Sequence, residues 1–97
     1  MTPKQAYWSV VYMDSQIALE EWQTVVQNAT ALTVELKKRS EEWNKEVYEP
    51  QFKRAERELA LMPAKTEILT LAVEYAKMKA QEAVNAEEAN SGAEKLG

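Results

Sequence analysis

Apolar and small residues recur along the first half of the chain at steps of three and four. They are Trp8, Val11, Ser15, Ala18, Trp22, Val25, Ala29, Leu32, Leu36, Ser40, Trp43 and Val47. That is the heptad spacing of a helix that buries one seam. One extra residue between Leu32 and Ser40 breaks it, an insertion of the kind that locally unwinds a supercoil. Thr2-Pro3 is a helix start, with Thr2 as N-cap and Pro3 in the first turn, where its missing N–H costs nothing. No Gly or Pro occurs after it until Pro50. The pattern predicts a helix over 3–48.

Two further prolines divide the rest of the chain. Pro50 disfavours helical geometry at Glu49 and can itself open a helix, so a turn at Glu49-Pro50 is expected. An antiparallel return from that point sets side by side positions whose numbers sum to about 99, as adjacent antiparallel elements require. Glu46 then meets Lys53, and Glu42 meets Arg57. Trp22 falls near Met78, Val25 near Tyr75, and Leu32 near Ile68. Phe52, Ala55, Leu59 and Met62 form one apolar stripe before Pro63, and Ile68, Leu71, Ala72, Tyr75, Met78 and Ala83 form another after it. A proline inside a helix removes a hydrogen bond and crowds the preceding turn. The return arm is therefore expected to be kinked or split into helices 51–62 and 64–89. Residues 1–90 make a single helical domain on this reading, and 91–97 a frayed polar tail.

A strand alternative exists in the middle of the first arm. Gln23-Thr24-Val25-Val26 and Leu32-Thr33-Val34-Glu35-Leu36 are rich in β-branched residues, and Gln27 to Thr30 could form a hairpin loop between them. The helical spacing runs through both stretches, and the helix is preferred.

Composition narrows the chemistry. The 97 residues hold no Cys and no His, which removes disulfides, thiol nucleophiles, Cys/His zinc sites and histidine acid–base catalysis. Both glycines, Gly92 and Gly97, lie near the end, so no glycine-rich phosphate loop exists. The net charge of −4 argues against nucleic-acid binding. Asp14 is the sole aspartate, too few for a calcium loop. Glu41, Glu42, Glu46 and Glu49 read as a solvated face, since bundle metal sites add histidine to their carboxylates. No catalytic, metal or cofactor-binding residue is assigned, and the chain is not expected to be an enzyme. Without a secretory signal or an apolar run long enough for a membrane, it is expected to be soluble and cytoplasmic.

Two groups of residues remain as candidates. Tyr7, Trp8, Val10, Val11, Tyr12 and Met13 are apolar all round the helix, more than one partner arm can cover, and Ile17, Leu19 and Val26 widen that face. Aromatic and methionine side chains left exposed in this way mark an interface. The expectation is an all-α antiparallel helical hairpin resembling a coiled coil, assembled as a homo-oligomeric bundle or docked on another protein. Its function is then protein–protein interaction or assembly, as an adaptor, inhibitor or small structural subunit. The alternative is an oligomer that sequesters an anionic small molecule, such as a nucleotide, between protomers. Arg39, Arg54 and Arg57, with Trp43 and Tyr48, would bind it.

Overall fold

The computed structural model describes the backbone of residues 1–96 and the side chains of 1–86, so the tail expected over 91–97 lies outside the fully described residues. The fold is an all-α hairpin of two helices, α1 (Pro3–Glu42) and α2 (Lys45–Leu96), with no strand among the described residues. They group into two compact units. A terminal unit combines Met1–Leu19 with Leu69–Gly97, and a turn unit spans Glu20–Ile68.

The terminal unit opens as expected. Thr2 Oγ1 accepts a hydrogen bond from the Gln5 N–H at 3.2 Å, and Gln5 Oε1 accepts one from the Thr2 N–H at 3.1 Å. This reciprocal capping box satisfies two donors that a helix start leaves free. The buried seam uses Trp8, Tyr12, Ser15 and Leu19 on α1, with Leu69, Val73, Ala76, Ala80 and Ala83 on α2, all buried or half-buried. Steps of four and three alternate on both sides. The α2 side is mostly alanine and the α1 side supplies the bulk. Trp8 meets Tyr75 edge to face at 6.1 Å, not the small residues near position 90 that the expected register implies.

In the turn unit the chain reverses at Trp43-Asn44, six residues before the expected place. The carbonyl of Arg39 accepts from the N–H groups of both Trp43 (2.9 Å) and Asn44 (3.1 Å), which closes α1. Asn44 Oδ1 then accepts from the Val47 N–H at 3.1 Å, so Asn44 is the N-cap of α2. A side-chain cap of this kind is worth about 1 kcal/mol. The helix forms with Pro50 inside it, past the first turn, where the missing N–H leaves the Glu46 carbonyl without its helical donor. Trp43, expected in the seam, is left in the link and is 74% exposed.

Moving the turn moves the register. Trp22 Nε1 donates to Thr66 Oγ1 at 2.9 Å, and the Arg39 guanidinium lies 5.7 Å from the Tyr48 ring. In the turn unit facing positions therefore sum to about 88 (22 with 66, 39 with 48), not 99. The expected Glu46–Lys53 and Glu42–Arg57 pairings give way to pairs within one helix. Glu49 holds Lys45 at 3.8 Å and Lys53 at 3.4 Å, and Glu58 holds Arg54 at 3.3 Å.

The seam of the turn unit runs through Trp22, Val26, Ala29, Thr33, Leu36 and Ser40. Opposite lie Tyr48, Phe52, Ala55, Leu59, Met62 and Thr66. Thr33 is buried where Leu32 was expected, and Val25 and Leu32 are exposed. With Thr33 in place the spacing has no inserted residue. The Thr33 hydroxyl is satisfied by donating to the Ala29 carbonyl at 2.7 Å, which removes the cost of burying it. Thr24 and Thr30 likewise donate to the carbonyls of Glu20 and Val26. The β-branched stretch 23–36 is helical throughout. Pro63 does not divide the return arm. It is exposed, and Leu59, Met62 and Thr66 keep their spacing across it.

Candidate interaction surface

The inward seam accounts for one side of each helix. On α2 a second set of apolar residues is left exposed, although Tyr75 among them also packs edge to face on Trp8 of α1. In the turn unit these are Leu61, Ala64 and Ile68; in the terminal unit they are Leu71, Tyr75 and Met78. All six are exposed, and the five larger ones retain between 47% and 75% of their accessible surface. Along the sequence of α2 they are spaced three, four, three, four and three. Four of them were expected to face α1. The stripe lies outside because helix two keeps the phase set by Phe52, Ala55, Leu59 and Met62 through Pro63, so Thr66, Leu69, Val73 and Ala76 turn inward instead.

The aromatic patch on α1 divides between two sides. Trp8, Val11 and Tyr12 are half-buried, and Tyr7, Val10 and Met13 are exposed, with Ile17 continuing the outer side. Tyr7 packs edge to face on Trp8 at 5.1 Å. Leu19 and Val26, expected to widen the outer face, belong to the seam.

The three candidate arginines do not converge. Arg39 Nε donates to Glu35 Oε1 at 3.1 Å, and its guanidinium lies 5.9 Å from the Trp43 ring as well as 5.7 Å from Tyr48. Three of the five residues of the anion alternative are thus adjacent, but with a carboxylate among them. Arg54 Nε donates to Glu58, and Arg57 is exposed. In the observed register, Arg54 lies level with Thr33, six residues from Arg39, or about 9 Å along the axis. Beside the turn is a hollow of about 600 Å³ lined by Lys37, Lys45 and Lys53 together with Glu41, Glu49, Trp43 and Phe52. Glu49 already engages two of those lysines, and none of the three arginines lines the hollow.

Among the described residues no helix is long and apolar enough to cross a membrane, and no cluster of three or more acidic side chains has the geometry to hold a metal ion. No protein-family model matches this chain, and no curated protein or solved structure matches it.

Proposed function

We propose that the protein is a non-enzymatic interaction and assembly protein whose working surface is the outer apolar stripe of α2. A partner helix would dock on it by coiled-coil packing. The observation that carries this reading is the regular spacing of Leu61, Ala64, Ile68, Leu71, Tyr75 and Met78 on the exposed side of a helix already packed on its other side. Scattered apolar residues on a surface need no explanation, but an extended ordered stripe is costly in water unless something covers it. Amphipathic helices that bind helices present their anchors at this spacing. The exposed Tyr7, Val10 and Met13 of α1 form a second, smaller patch of the same character.

The anion-binding alternative has less support, because Arg39 and Arg54 each carry a glutamate already. Exposed ion pairs of this type add less than about 1 kcal/mol, so they do not hold a site together either.

Replacing Leu71 by Asp tests the reading. Leu71 is exposed, so the variant should remain helical by circular dichroism. An assembly of two copies loses two leucine contacts, about 3 kcal/mol together, and should weaken roughly a hundredfold. Sedimentation should then show single chains at concentrations where the parent protein is associated. An unchanged mass for Leu71→Asp would contradict the proposal. Val10→Asp, read in the same way, reports how much of the surface belongs to α1.

A further inference from the structure

We infer that the partner on the outer stripe of α2 is a second copy of this chain, with the two α2 helices parallel. The inference rests on the interaction reading and adds the identity of the partner and its direction. The composition of the stripe gives the first reason. Its alternate positions fall into two sets, Leu61, Ile68 and Tyr75 in one and Ala64, Leu71 and Met78 in the other. Ile68 in the first set beside Leu71 in the second is the combination that, in parallel assemblies, favours two strands over three or four.

Charge gives the second and stronger reason. The two flanks of the stripe differ in sign, with Glu67 and Glu74 on one side and Lys65 and Lys79 on the other. In a parallel pair the acidic flank of each helix faces the basic flank of its neighbour. Glu74 then meets Lys79 of the second copy, five residues further on, and symmetry repeats the contact; Glu67 meets Ala72. In an antiparallel pair like flanks meet, and Glu67 faces Glu74 twice. That arrangement gains Glu58 against Lys79 at its ends, but Glu58 is already held by Arg54 at 3.3 Å.

Of the two lysines, Lys79 has an acidic partner in the parallel pair, whereas Lys65 falls opposite Ala60 of the second copy. Lys65 Nζ lies 4.3 Å from the centre of the Trp22 ring, which holds that side chain toward α1. Lys79 rests 5.6 Å from the Tyr75 ring and 3.3 Å from Glu82, beside the last positions of the stripe. Reaching Glu74 of the neighbour requires it to exchange one exposed carboxylate for another. Such pairs set orientation more than strength. The strength comes from the six apolar positions, which span 18 residues of α2. The arrangement is a closed two-fold pair that uses the same surface on both copies.

The chain contains no cysteine, so single introduced thiols report the orientation without interference. Leu61→Cys and Met78→Cys should each form a disulfide-linked pair on mild oxidation, because equal positions face each other in the parallel arrangement. Mixing the two variants before oxidation should give no 61-to-78 product, since those positions lie too far apart to bridge. A 61-to-78 product without the like-to-like products would overturn the parallel orientation and leave the interaction reading standing. An associated protein that forms none of these links would place the contact elsewhere and overturn the inference as well. A single-chain mass at every concentration would overturn the inference and leave the interaction reading with a different protein as the partner.

Discussion

Replacing Ala76 by Asp is expected to unravel the terminal unit. Ala76 is 1% exposed, in a seam whose α2 side is built from small residues. A carboxylate there must either give up its hydration without a partner or force the two arms apart, and its stem is too short to reach water. The cost expected of an unpaired buried charge is about 3 kcal/mol or more. At 4–8 °C per kcal/mol for a domain of this size, the midpoint of thermal unfolding should fall by more than about 12 °C. Ala31→Asp makes the same substitution at an exposed position of α1 and should cost little more than the difference in helix propensity, about 0.6 kcal/mol. Thermal unfolding followed by circular dichroism checks both. Equal losses in the two variants would mean that position 76 is not packed against α1.

Replacing Pro63 by Ala is expected to act in the other direction. Pro63 lies inside α2, exposed, at a point where the helix continues without its N–H. Alanine restores the hydrogen bond to the carbonyl four residues earlier and removes the ring's crowding of that turn, a gain of about 3 kcal/mol. The unfolded chain also becomes freer without proline, which offsets up to about 1 kcal/mol of that gain. The net rise of about 2 kcal/mol should lift the unfolding midpoint by roughly 10 °C. A midpoint that stays or falls would show that the seam around Leu59, Met62 and Thr66 depends on a bend at the proline.

The two substitutions also show where the sequence was legible. The Thr2 cap, the helical first arm and the stripe of Phe52, Ala55, Leu59 and Met62 arise from local patterns that the fold leaves unopposed. The place of the turn does not, because Asn44 and Pro50 both mark a helix start within seven residues. The cap signal at Asn44, reinforced by Glu46 in the first turn of α2, was the one that decided it. Errors in the seam have a common origin in the size of the side chains. Leu32 outweighs Thr33 in apolar bulk, and Ile68, Tyr75 and Met78 outweigh Thr66, Val73 and Ala76; Val25 against Val26 and Leu71 against Leu69 are equal in size and follow from the phase those residues set. An unbroken alternation of four and three was available through the smaller residues on both arms.

Helix two carries two apolar stripes, and periodicity alone does not say which one faces inward. The bulky stripe is left exposed while Ala76, Ala80 and Ala83 are buried or half-buried, and Tyr75 of that stripe still meets Trp8 at 6.1 Å. The interaction surface was therefore only half visible in the sequence. Tyr7, Val10 and Met13 stood out because that part of α1 is apolar on every side, whereas the longer surface on α2 looked like core. The arginines form a group only in the register of a turn at Glu49-Pro50, which the turn at Asn44 displaces.

Whether the outer stripe of α2 is covered by a second copy is tested most directly by the solution mass of the unmodified protein, measured by light scattering over a wide concentration series with a helicity spectrum on the same samples. The account predicts a helical species of twice the 11.1 kDa chain mass, giving way to single chains on dilution. A helical protein that keeps the single-chain mass at every concentration would contradict it.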